Sequence, residues 1–227
     1  MSNTVLPTDP METRTALPAG SWLRKRAIVK GVLLAGLVMF LAEALRIFVG
    51  TNFHVVAKDR CYRSAQPTAQ FLESVQRKHG IQSIINLRGE NPDDGWYQEE
   101  KRAAENLGIL LIDAGLWSSA QAPAEDFRIF VQAVHDAPEP ILIHCANGND
   151  RSGLASAVYF LMRTDKSLEV ARGQLSLRFG HVAWSRASCL SRILDNYEAW
   201  LQEKGWQHSP DRFFDWGMNF YVEETLP

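Results

Sequence analysis

Residues 140–153 read PILIHCANGNDRSG, an apolar run that ends in His144-Cys145, passes through five residues, and resumes as Arg151-Ser152-Gly153 at the start of a helical stretch. No other segment constrains the fold as tightly. An apolar strand feeding straight into a helix is the repeating unit of an α/β sheet. A cysteine and an arginine spaced in this way across such a turn can wrap one phosphate group. The backbone N–H groups of Ala146, Asn147, Gly148, Asn149, Asp150 and Arg151 are expected to point inward, and the helix N-terminus adds the positive end of its dipole. Gly148 lets the loop turn without a side-chain clash. The same field favours the thiolate of Cys145, the reactive form. Arg151 offers a planar fork that matches two phosphate oxygens, which a lysine cannot reproduce. Ser152 is placed to donate a hydrogen bond to the sulfur and ease its departure.

From about residue 53 onward, short apolar runs alternate with helical periodicity,. Strands are expected over 55–62, 81–86, 108–112 and 140–144. Helices are expected over 68–79, 97–107, 124–135, 151–163, 167–178 and 187–204. This alternation predicts a three-layer α/β domain over 50–205, with a central, mostly parallel sheet flanked by helices. Residues 206–227 carry Trp206, Phe213, Phe214, Trp216, Phe220 and Tyr221. Aromatic side chains bury large areas, so this tail is expected to pack on the domain rather than on lipid.

With 46% hydrophobic and 22% charged residues and no low-complexity tract, the chain has the composition of an ordinary globular protein,. A formal net charge of -2 gives no electrostatic reason to expect nucleic acid as a partner,. Cys61, Cys145 and Cys189 are too few for a disulfide framework or a four-cysteine zinc site, and His54, His79, His135, His181 and His208 show no ligand spacing,. Neither a metal nor a cofactor is expected. Cys61 and Cys189 read as core residues, although an oxidising compartment would permit a bond between them.

Residues 1–26 form a polar segment that ends in Arg24-Lys25-Arg26, and residues 27–49 follow as AIVKGVLLAGLVMFLAEALRIFV. This is a membrane-directed signal, an N-terminal hydrophobic helix read first as a transmembrane anchor. Two alternatives stay open: a secretory signal cleaved near Ala42-Glu43-Ala44, and a buried or interfacial helix. The basic triplet abutting the segment favours a single-pass chain with its C-terminal domain outside the cytoplasm, or exported after cleavage.

The 144–153 segment resembles the H-C-x5-R-[ST]-G signature of the protein tyrosine and dual-specificity phosphatase superfamily at every fixed position. CYRSAQP (61–67) and SIINLRGE (83–90) resemble segments common in bacterial and fungal dual-specificity-like members, so the resemblance spans about 53–205. It implies hydrolysis of phosphate monoesters through a phosphocysteine intermediate on Cys145, with Arg151 stabilising the transferring group. It also implies that His144 bonds backbone beside the loop and supports the thiolate. In the dual-specificity members an aspartate about thirty residues before the cysteine supplies the proton for the leaving group. Asp113 fits that count, although Pro123 can shift the alignment and bring Ser118 or Ser119 to the position. Asp150, inside the loop, is the rival. The variable loop positions carry no lysine or arginine, which favours a monophosphate: phosphotyrosine or another phosphoprotein, or a membrane phospholipid monoester. The competing class is a non-catalytic phosphate-binding module tethered at the membrane.

Overall fold

The computed structural model of the chain describes residues 20–48, 50–182 and 188–223. Most of the expected polar N-terminal segment lies outside the described residues. The chain divides into two units, Met1–Glu43 and Ala44–Pro227.

The helix α1 (Gly20–Phe48) begins in the first unit, upstream of the hydrophobic segment, and its last residues belong to the second. Leu33, Leu34, Met39 and Phe40 on it are exposed. The expected transmembrane span is not met there: among the described residues, no helix is long and apolar enough to cross a membrane.

The second unit contains a five-stranded mixed sheet of order β1-β2-β5-β3-β4. Its strands are β1 (His54–Ala57), β2 (Cys61–Ser64), β3 (Ser83–Asn86), β4 (Leu110–Asp113) and β5 (Ile141–His144). β5 lies at the centre, parallel to β2 and β3, and β4 continues the parallel set. The expected single strand over 55–62 is instead an antiparallel hairpin, with β1 and β2 in the register His54↔Arg63. Lys58-Asp59-Arg60 makes its turn: Asp59 takes φ 59°, and Arg60 N–H donates to the Ala57 carbonyl at 3.1 Å. Short aspartate side chains tolerate this left-handed conformation better than most.

Helices α2 (Ala69–His79) and α3 (Gly95–Leu107) cover one face of the sheet. Leu72, Val75, Ala103 and Ala104 pack there on Ile84, Leu142 and Tyr62. The larger core lies on the other face, where Ile85, Ile141 and Ile143 meet α4 (Ala124–Asp136), α5 (Asp150–Arg163), α7 (Ser188–Lys204) and α8 (Pro210–Asn219). Alternation along β5 sends Leu142 to one face and Ile141 and Ile143 to the other, so its apolar run is continuous. The expected helix over 167–178 is broken into α6 (Leu168–Arg172) and a 3-10 turn at Leu177–Phe179. Gly173 stands at the break and caps α6. α8 has no counterpart among the expected elements; its Phe213 and Trp216, with Tyr221 beyond it, are buried in the main core.

Candidate active site

The loop 145–149 leaves the carboxyl end of β5, the central strand, and runs into α5. Ligand sites in parallel sheets form at that edge. Cys145 is buried, and its sulfur accepts the Gly148 N–H at 3.2 Å. Gly148 itself has φ 71°. Gly153, in the first turn of α5, lets that helix approach the turn after α6: a Cβ there would lie 2.9 Å from the Gln174 carbonyl oxygen.

What holds the loop comes from other segments. Arg63 on β2 is fully buried and donates through Nη2 to the carbonyls of Gly148 at 2.9 Å and Asn149 at 2.6 Å. Its Nη1 donates to the Gln174 carbonyl at 2.9 Å, and its guanidinium stacks 4.5 Å from the Phe179 ring centre. Burial pushes this guanidinium down to about 10, so it stays charged at neutral pH,. Asn52 Nδ2 donates to the Asn147 carbonyl at 3.1 Å and to Asn149 Oδ1 at 2.8 Å. Asn149 stands at the N-cap of α5 yet makes no side-chain cap. Its oxygen is turned toward Asn52. The donors at the start of α5 are thus not taken by the residue best placed to cap them, which suits an anion-binding end.

Arg151 places Nη1 against two backbone carbonyls, Leu87 at 3.1 Å and Leu116 at 3.3 Å. Its Nε and Nη2 edge has no partner among the described residues and is the edge that can take a phosphate bidentately. Arg88 is a second cation beside it. Its Nη1 donates to Gln66 Oε1 at 2.8 Å, its guanidinium lies 3.3 Å over the Trp96 ring, and desolvation first and then Arg151 lower its pKa. Gln66 Nε2 donates to Glu100 Oε2 at 2.8 Å. Glu100 Oε1 lies 2.6 Å from His144 Nε2, both side chains fully buried, close enough for an ion pair though not aligned as a hydrogen bond. His144 Nδ1 faces the Cys145 carbonyl at 3.4 Å.

Ser152 Oγ is fully buried without a hydrogen-bond partner, not donating to the sulfur, whose near contact is the Gly148 N–H. Asp113 ends β4 and is engaged on both oxygens, by Asn86 Nδ2 at 2.8 Å and the Tyr97 hydroxyl at 2.6 Å. It lines a cavity with Tyr97, Lys101 and Leu110, separate from the one that Arg151 lines. Burial and the bond to Asp113 raise the Tyr97 pKa, so that hydroxyl keeps its proton and occupies the carboxylate. Asp150 Oδ1 lies 2.7 Å from Nδ1 of the buried His181. Ser118 and Ser119, by contrast, line the Arg151 cavity of about 400 Å³ together with Arg88, Trp117 and Asp126.

Sequence reasoning gave no role to Arg63, Asn52, Gln66, Arg88, Glu100 or His181. Arg63, Gln66 and Arg88 lie inside the two segments CYRSAQP and SIINLRGE, which was the available signal. Cys61, Cys145 and Cys189 are buried, and none of them is in a disulfide. Among the described residues no group of three or more His, Cys, Asp or Glu can hold a metal ion.

A family profile described as "DSP-PTPase phosphatase fused to NAD+ Kinase" matches residues 50–188, more than half of the chain. Among curated proteins no sequence matches. The core catalytic domain of the PP-IP phosphatase Siw14 from S. cerevisiae, solved with citrate, is 21% identical and has a TM-score of 0.50; the match covers 68% of this chain and 93% of that one. TpbA from P. aeruginosa is 20% identical with a TM-score of 0.49, over 64% of this chain and 88% of its own. At such identities the likeness to Siw14 speaks for the fold. Together with the loop that carries Cys145 and Arg151 at the end of β5, the profile match over 50–188 shows that this chain belongs to the DSP-PTPase family of phosphatases described as fused to NAD+ kinase.

Proposed function

We propose that the chain hydrolyses phosphate monoesters through a phosphocysteine intermediate, on phosphotyrosine or another phosphoprotein, or on a membrane phospholipid monoester. The observation that carries this reading is Arg151, which follows the Cys145 loop at the start of α5 and is anchored by Nη1 on the carbonyls of Leu87 and Leu116. Cys145 attacks phosphorus, the bond to the leaving oxygen breaks, and water then hydrolyses the phosphocysteine. Arg151 and the N–H groups of the loop stabilise the charge on the transferring group throughout. Arg88 brings positive charge to the cavity that the loop residues themselves lack. That supports a dianionic monoester beside a thiolate.

The test is turnover of a chromogenic aryl phosphate by the full chain and by its Arg151→Lys variant. An ammonium cannot hold two carbonyls and grip two phosphate oxygens together. Loss of one preorganised donor costs about 10²–10³ in kcat elsewhere, and Arg151→Lys is expected to lose at least that much. Near-normal turnover in the variant would make Arg151 structural. No turnover by the unaltered chain, with phosphate or vanadate still bound, would favour the non-catalytic module.

We further propose that α1 seats the chain at a membrane with the catalytic domain outside the cytoplasm. Two features support it: the exposed apolar side chains Leu33, Leu34, Met39 and Phe40, and the basic triplet Arg24-Lys25-Arg26 before them,. Protease added to intact cells stripped of their outer layers is expected to digest the domain. Protection until lysis would reverse the orientation.

A further inference from the structure

We infer that Asp126 is the proton donor to the leaving group, a proposal that rests on the phosphatase reading of Cys145 and Arg151. The breaking P–O bond leaves an alkoxide that needs a proton, so some acid must stand over the clamp. Asp126 is the only carboxylate among the residues lining the cavity of about 400 Å³ that Arg151 and Arg88 line. It is half-buried, in the first turn of α4. Among the described residues no hydrogen bond or ion pair engages it, in contrast to the two aspartates expected from sequence. Asp113 is held by Asn86 and Tyr97, and Asp150 by His181. Its neighbour Glu125 is spoken for too: it bonds Arg128 and lines a different cavity with Ile112 and Ile129.

The fold supplies a reason for the placement. Leu116, in the segment between β4 and α4, accepts from Arg151 Nη1. Trp117, Ser118 and Ser119 continue around the cavity wall, and α4 begins at Ala124. The clamp and the acid are therefore tied through one short segment.

The step balances. As the S–P bond forms and the P–O bond breaks, the Asp126 carboxyl gives its proton to the departing oxygen. The resulting carboxylate then takes a proton from the water that attacks the phosphocysteine, restoring the acid as phosphate leaves and the thiolate re-forms.

The experiment compares kcat/KM on an alkyl phosphate and on nitrophenyl phosphate for the full chain and for Asp126→Asn, Asp126→Glu, Asp113→Asn and Asp150→Asn, with each variant's melt recorded. General acid catalysis contributes about 10²–10⁴-fold. Asp126→Asn is expected to lose on the order of 10³-fold on the alkyl substrate and about 10-fold on the aryl one, whose leaving group needs little help. Asp126→Glu should restore much of the alkyl rate. Equal losses on both substrates in Asp126→Asn, or the leaving-group-dependent loss appearing in Asp113→Asn or Asp150→Asn instead, would overturn the assignment alone. Absence of Cys145-dependent aryl phosphate turnover by the unaltered chain would overturn the phosphatase reading and this proposal with it.

Discussion

Replacing Cys145 with serine is expected to reduce phosphate monoester turnover to background while the protein stays folded and still binds phosphate or vanadate. The loss should be on the order of 10⁶ in kcat, the scale seen when a hydrolase loses its covalent nucleophile. A serine hydroxyl needs an adjacent general base to become nucleophilic. None stands ready here: His144 lies against Glu100 and faces the Cys145 backbone carbonyl. The scaffold, by contrast, barely notices the change. The Gly148 N–H, which donates to the sulfur at 3.2 Å, keeps an acceptor in the serine oxygen. The substitution nearly conserves volume, and such swaps in a core usually cost less than about 1.5 kcal/mol. Arg63 and Asn52 hold the loop through its carbonyls and Asn149, so the anion cradle does not depend on the sulfur. The measurements are single-turnover and steady-state rates, a thermal melt, and vanadate binding by calorimetry. Substantial residual turnover would remove Cys145 from the chemistry. Loss of vanadate binding with an unchanged melt would instead mean that the sulfur organises the cradle.

The strand, loop and helix of the site were legible because their signal is local. Ile141, Leu142 and Ile143 are buried on both faces of the sheet, so the run is apolar without interruption and announces a central strand,. The features that were not legible depend on distant partners. A fully buried arginine in a strand runs against the ordinary preference of that side chain for the surface. Arg63 is stable there only because carbonyls 85 and 86 residues further along the chain accept from it. The hairpin over 54–64 was hidden for a different reason: Lys58-Asp59-Arg60 carries no glycine or proline to mark its turn,. Asp113 shows the limit of counting along the chain. Its distance in sequence from Cys145 suits a proton donor, but strand register sets it opposite Asn86, and α3 brings the Tyr97 hydroxyl onto its other oxygen. Spacing fixed the position of the residue and left its partners open.

Gly148→Ala is expected to cost at least about 100-fold in kcat/KM although it replaces neither the nucleophile nor the clamp, in line with the roughly 100-fold effect of a 1 Å misplacement in an active site. Two independent effects act at this position. With φ at 71°, an alanine must adopt a left-handed conformation that costs roughly 1–2 kcal/mol for an L-residue. Its Cβ would also lie 2.6 Å from the Ala65 nitrogen, 2.7 Å from the Ser64 carbonyl carbon and 2.8 Å from the Ser64 oxygen. All three are backbone atoms, so no side-chain rotation relieves the contact. β2 is not free to retreat, because it is paired with β1 on one side and β5 on the other. The loop must move instead. Any shift of its fourth residue pulls the Gly148 N–H from the sulfur and the Gly148 carbonyl from Arg63. It also disturbs the Gln66 N–H bond to the Ala146 carbonyl at 3.1 Å, which joins the loop to the end of β2. Overpacking of this kind typically costs about 1–3 kcal/mol. With the backbone penalty the sum is about 2–5 kcal/mol, and a domain of this size melts about 2–4 °C lower for each kcal/mol. A drop of roughly 4–20 °C in Tm is therefore expected if the strain is carried by the whole domain. A smaller drop with the same loss of activity would locate the yielding in the loop alone. Unchanged rate and unchanged Tm together would mean that the loop does not approach Ser64 and Ala65 as closely as the structure shows.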